Sequence, residues 1–141
     1  MIKQMCAFLF ALSVICSVNL AASKSIYVFP PEKAEMILEN AIKCITESGL
    51  QTFVGQEIKQ GKYTDDERTL GALVCANEKI GYSNESGRLN IDKIMIDLFP
   101  LKPEIRSDLE ACNKDYGLDP VGTFKSFLIC FRKRVPFRVV L

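Results

Sequence analysis

Cysteine placement constrains this chain more than any other feature. Cys6 and Cys16 fall inside an apolar run near the amino terminus, while Cys44, Cys75, Cys112 and Cys130 are spread through the rest of the 141 residues. The run follows one positive charge at Lys3, extends from Met5 to Leu20 and ends in the small residues Ala21, Ala22 and Ser23. That is the layout of a secretory signal peptide. Ser13, Ser17 and Asn19 interrupt it, and it is shorter than the roughly 20 apolar residues a membrane-spanning helix needs. Residues 1–23 are therefore expected to be lost on secretion, leaving an extracellular domain over residues 24–141 with four cysteines. On an oxidising route four thiols form two disulfides rather than a metal site, and no C-x-x-C pair argues otherwise. Four cysteines allow about three pairings, and spacing alone does not choose among them. Each bridge would stabilise so small a domain by about 3–4 kcal/mol in the chain-entropy model.

Composition narrows function by exclusion. The chain has no histidine, which removes Ser-His-Asp and Cys-His nucleophilic catalysis, imidazole acid–base chemistry and histidine-ligated zinc. Eighteen basic residues against seventeen acidic ones give a net charge of +1, so no electrostatic footprint for nucleic acid is present. No Walker A, G-x-G-x-x-G, G-x-S-x-G or EF-hand pattern occurs. Asp65-Asp66-Glu67 reads as a helix-capping run, because acids suit the positive end of the helix dipole and no further metal ligands follow. The Arg132-Lys133-Arg134 triplet reads as a solvated helix end. The expectation is a protein with no catalytic residues, no metal and no cofactor. Asn84-Glu85-Ser86 is an N-glycosylation sequon in a stretch that is a turn by composition.

The dominant period is helical. A first helix is expected over 31–48, with Pro31 in its first turn and Ala34, Ile37, Leu38, Ala41, Cys44 and Ile45 on one face. A short one over 53–60 follows. A third, capped by Asp65 or Asp66, runs to Ile80 with Leu70, Leu73, Val74 and Asn77 on one side and Gly81 as its stop. Asn90 caps a fourth whose face is Ile91, Ile94, Met95, Leu98 and Phe99. A fifth shows the ladder Leu101, Ile105, Leu109, Cys112, Tyr116, and Asp119-Pro120 opens a sixth carrying Val121, Phe124, Phe127, Leu128 and Phe131. No stretch alternates as a strand should. An apolar tail over 135–141 closes the chain, its Phe137, Val139 and Val140 suited to packing as a strand-like extension over the helices or to covering a cavity mouth.

These features together resemble the insect odorant-binding proteins, the pheromone and general odorant-binding family, over essentially all of residues 24–141. That family has six cysteines, the second lying four residues before the third and the fifth nine before the sixth. Cys44, Cys75, Cys112 and Cys130 fit the first, third, fourth and sixth positions, while Gly71 and Val121 stand where the other two would be. Those two bond to each other in the family, so one whole bridge is lost, the pattern of its four-cysteine C-minus subgroup. The text from Cys75 to Gly81 and the Ser86-Gly87-Arg88-Leu89 turn agree with the family as well. The resemblance implies an all-α, six-helix, disulfide-stapled domain enclosing an apolar cavity, with Cys44–Cys75 and Cys112–Cys130 as the bridges. It implies a secreted carrier of a small apolar ligand such as an odorant or pheromone, not an enzyme, with a membrane receptor as an indirect partner and a monomeric or weakly dimeric state. The expected lining is Leu73, Ala76 and Ile80, then Ile94, Met95, Leu98 and Phe99, then Leu109, Phe124, Phe127, Leu128 and Phe131, with Phe137 and Val139 from the tail. Tyr82 and Tyr116 are candidate hydroxyl donors. A ligand of about twenty heavy atoms would bind near the micromolar range. The other reading of a secreted helical domain is an interaction protein (a venom, salivary or seminal factor) that binds a protein partner.

Overall fold

The computed structural model describes residues 24–49, 59, 66–114 and 116–141. The leader over 1–23 and the helix expected over 53–60 lie outside the described residues, Lys59 apart, which is helical. Among the described residues the order is β1 (Ser25–Val28), α1 (Pro31–Glu47), α2 (Glu67–Ile80), α3 (Ile91–Leu98), α4 (Arg106–Cys112), α5 (Pro120–Arg134) and β2 (Phe137–Val140), with a 3₁₀ turn at Pro103–Ile105 leading into α4.

Local chemistry sets these boundaries. Pro31 occupies the first turn of α1, where a missing N–H costs nothing. The Asp66 carboxylate accepts from Arg68 N at 2.9 Å and starts α2. Gly81 ends α2 at φ 90°, in the left-handed region, with its N–H on the Asn77 and Glu78 carbonyls. Asn90 and Asp119 cap α3 and α5 by accepting from Lys93 N and Gly122 N. The connection from α2 to α3 is held from outside. The Asn113 amide both accepts from Leu89 N and donates to Leu89 O, each at 2.9 Å. Gly87 sits so close to the start of α5 that a β-carbon there would lie 2.4 Å from Pro120 O, which only glycine avoids.

Packing follows the disulfides. Cys44–Cys75 joins α1 to α2, and Cys112–Cys130 joins α4 to α5, so the implied pairing is the one present. The faces they bring together bury Ile37, Ala41, Ile45, Leu70, Leu73, Leu109, Phe124 and Phe131 in one core.

One expectation needs correction. The all-α reading missed a two-stranded parallel sheet: β1 pairs with β2 in the register Ser25↔Phe137, Tyr27↔Val139, Val28↔Val140. Each strand is only four residues long, too short to show alternation, and neither exists without the other. Five of the six expected helices stand among the described residues as α-helices, and the second, expected over 53–60, lies outside them apart from Lys59. The ladder of the fifth helix is cut at both ends. Leu101 is 87 % exposed before the 3₁₀ turn and Tyr116 is 58 % exposed after α4 has stopped.

Candidate ligand-binding pocket

A pocket of about 110 Å³ opens between the helices. Leu73 and Asn77 reach it from α2, Ile94 and Leu98 from α3, Leu109 from α4, and Phe124, Phe127, Leu128 and Phe131 from α5. Phe99 follows α3, Ile37 comes from α1, and Leu89 and Tyr82 come from the connection held by Asn113. Phe29, Val139 and Leu141 complete the wall from the two ends of the domain. The α5 rings form a stack, Phe124 on Phe127 at 6.4 Å and 7°, and Phe127 on Phe131 at 5.7 Å and 13°. They present a continuous apolar wall.

The sheet holds the tail against this wall. Tyr27 of β1 stacks on Phe99 at 5.2 Å and meets Phe137 at 5.4 Å, and its hydroxyl donates to Leu98 O at 2.8 Å. The Lys24 ammonium donates to the carbonyls of Arg132 and Val135 where α5 ends. Residues 24–28 and the tail are thereby held together beside the pocket wall.

Ten of the fourteen expected lining residues are on the pocket: Leu73, Ile94, Leu98, Phe99, Leu109, Phe124, Phe127, Leu128, Phe131 and Val139. Ala76, Ile80, Met95 and Phe137 are not. Ala76 is fully buried, and Met95 belongs with it to the helix core. Ile80, half-buried, packs against that core at the end of α2. Phe137 is 4 % exposed and packs on the rings of Tyr27, Phe99 and Phe131. Tyr82 lines the pocket with its ring, but its hydroxyl donates at 3.0 Å to the Asp97 carboxylate, which also faces Lys33 at 3.6 Å. Burial, followed by that carboxylate, pushes the Tyr82 hydroxyl well above the ordinary tyrosine pKa. Tyr116 is remote from the pocket, with Arg88 over its ring at 4.9 Å.

Sequence reasoning missed Phe29, Ile37, Asn77, Leu89 and Leu141. Leu89 was findable. It precedes the capping Asn90, and Ile94 lies four residues past that cap, the spacing of a hydrophobic staple. Ile37 was on the predicted apolar face of its helix. Phe29, between a strand and two prolines, carried no periodic signal.

Among the described residues, the one cluster of possible metal ligands does not compete with this pocket. Cys44, Glu47 and Cys75 lie close enough together to suggest a metal, but the two sulfurs are bonded to each other and Glu47 pairs with Lys79 at 2.8 Å. Asn84 is exposed, and its side-chain oxygen accepts from Ser86 N, Ser86 Oγ and Arg88 N. Arg132, Lys133 and Arg134 are exposed at the end of α5. Among the described residues no helix is long and apolar enough to cross a membrane.

The sequence over residues 27–134 matches the model of the PBP/GOBP family. This chain belongs to the PBP/GOBP family. Among solved structures it is similar to the odorant-binding protein dmelOBP28a from Drosophila melanogaster, at a TM-score of 0.58 and 20 % identity, covering 72 % of this chain and 91 % of that one. No curated protein matches. The PBP/GOBP family is one of small-ligand carriers, which are not enzymes.

Proposed function

We propose that this PBP/GOBP protein is a secreted carrier that holds a small hydrophobic molecule between α2, α3, α4 and α5. The observation that carries the reading is the phenylalanine-walled pocket, whose lining includes no charged side chain. Burial of apolar ligand surface there is favourable by about 25 cal/mol per Å². The four cysteines of the domain, all used in the two bridges, support placement in the family's C-minus subgroup and outside the cell.

The pocket as it stands is smaller than the roughly 300–1,000 Å³ of ordinary ligand sites. At about 110 Å³ it suits a molecule near the size of benzene, which a dry cavity of about 150 Å³ accepts. A ligand of about twenty heavy atoms requires the wall to yield. Val139 on the two-stranded sheet and Leu141 just past its end, rather than in the helix core, are the part most able to do so.

Delipidated protein titrated with the fluorescent apolar probe N-phenyl-1-naphthylamine tests the reading. Saturable uptake by the monomer, competed by alcohols or esters, supports a carrier. A monomer that takes up neither this probe nor a benzene-sized ligand, yet captures a protein partner, would replace it with an interaction role.

A further inference from the structure

Among the described residues, the pocket has one polar side chain with no hydrogen-bond partner. Asn77 is 9 % exposed and lies on the pocket wall one helical turn from Leu73. Its backbone carbonyl is fully used, accepting from the N–H groups of Gly81, Tyr82 and Ser83. Its side-chain amide has no hydrogen-bond partner among the described residues. The tyrosine hydroxyls beside the wall are bonded elsewhere: Tyr82 donates to Asp97 and Tyr27 to Leu98 O, while the buried Ser83 hydroxyl, which has no partner among the described residues, is not on the wall. A buried amide left unpaired is unfavourable, and a native structure keeps one chiefly where something else completes it.

We infer that the Asn77 amide is the polar anchor of the pocket, and that it selects neutral ligands carrying one hydrogen-bonding oxygen: alcohols, aldehydes, ketones or esters. The inference rests on the carrier reading and adds the ligand's chemistry. An amide offers two donors and an acceptor, so it bonds a carbonyl or a hydroxyl equally well and leaves the rest of the ligand to the phenylalanine wall. Anions are selected against. No lysine or arginine lines the pocket, and the nearest charge behind Tyr82 is the Asp97 carboxylate, already facing Lys33. Lys93 is off the wall: its ammonium donates to Ile80 O and stands 5.5 Å from the centroid of the Tyr82 ring. A carboxylate entering here would shed its water without meeting a cation, a heavy penalty.

Ligands of one shape and about the pocket's size separate these effects: toluene, benzyl alcohol, benzaldehyde and benzoate, titrated by NMR at pH 7 into delipidated protein with ¹⁵N-labelled asparagine. Benzyl alcohol and benzaldehyde are expected to shift the Asn77 side-chain amide signal saturably, and toluene to bind without moving it comparably. Benzoate is expected not to bind. In Asn77→Leu, which keeps the side chain's shape, the affinity of benzyl alcohol relative to toluene should fall about tenfold, equivalent to about 1.4 kcal/mol. Toluene affinity should hold or rise. Asn77→Ser, retaining a donor and acceptor, should keep most of the wild-type ratio. A ratio unchanged within twofold in Asn77→Leu, an Asn77 amide signal indifferent to the alcohol, or benzoate binding as tightly as benzyl alcohol would each overturn the anchor. The amide signal is read in wild-type protein, so the test survives a variant that fails to fold. Failure of toluene and benzyl alcohol alike to bind wild-type protein would instead tell against the carrier reading, which keeps the two failures distinct.

Discussion

Tyr82 divides its side chain between two environments. Its ring faces the pocket, and its hydroxyl reaches the Asp97 carboxylate, which is 15 % exposed. Hydrogen bonds to a charged partner are worth about 1.5–3 kcal/mol, and water near Asp97 places this one at the lower end. Tyr82→Phe should therefore lower stability by about 1–2 kcal/mol in urea unfolding while the ring keeps its place on the wall. The pH dependence gives a second readout. Burial and the carboxylate raise the folded-state pKa of Tyr82 above its ordinary value, and burial raises that of Tyr27 more modestly. Between about pH 10 and the folded value the native state holds more protons than the unfolded one, so stability falls as pH rises. Wild-type melting temperature is expected to drop above about pH 10, and Tyr82→Phe to drop less steeply over the same window. Equal slopes would mean that the bond to Asp97 does not survive in solution.

At the level of elements, the sheet is where the tail's role is decided. β2 supplies Val139 to the pocket and Phe137 to the aromatic cluster, while β1 secures it through Tyr27 and the Lys24 ammonium. Removing residues 136–141 should speed release of N-phenyl-1-naphthylamine several-fold in stopped-flow fluorescence. Removing 24–28 should act in the same direction more weakly, because Phe137 still packs on Phe99 and Phe131. Unchanged rates in folded truncations would make the tail plain packing. A second element-scale prediction concerns the bridge that the proposed C-minus placement leaves out. A β-carbon built at Gly71 meets no heavy atom within 4 Å, whereas a relaxed disulfide holds its β-carbons about 3.8 Å apart. Joining Gly71→Cys to Val121→Cys would thus draw α2 and α5 together. The bridge should close incompletely under mild oxidant, with a gain in unfolding free energy well below the ~3 kcal/mol of an unstrained link. Thiol titration and melting curves read both.

The helices were legible because each announces itself locally: Asp66, Asn90 and Asp119 cap where their side chains predict, and Gly81 stops α2. The sheet was not, because its two strands lie at opposite ends of the chain and four residues in each hold no period. Most of the pocket was visible as apolar helix faces, but periodicity cannot separate wall from core. Met95 and Ala76 share helices with true lining residues and differ from them only in which neighbour they meet. Asn77 stood on the apolar side of its helix in the sequence; its unmet amide became visible only with the surrounding structure.

For the molecule as a whole, charge sets how ligand binding responds to acid. No histidine is present, so nothing here titrates near pH 6.5 as an ordinary imidazole would. No aspartate, glutamate, lysine or arginine side chain lines the pocket, so ligand meets only uncharged side chains between neutral and mildly acidic pH. The bonds that support the wall from behind do use carboxylates, and these fail only when protonated. Asp66, which caps the helix bearing Asn77, is held below the ordinary aspartate value chiefly by the Arg68 backbone N–H. A depressed carboxylate adds stability that is present above its unfolded value and is lost as pH falls through the folded one, here below about pH 4. Affinity for N-phenyl-1-naphthylamine is therefore expected to be flat within about twofold from pH 7.5 to about 5.5, then to fall near pH 4 together with helical circular dichroism. The two should move together because acid reaches the ligand only by loosening the helices around it. A tenfold loss between pH 7 and about 6 with the helices intact would require a raised carboxylate in contact with ligand, a group this wall does not contain among its described residues.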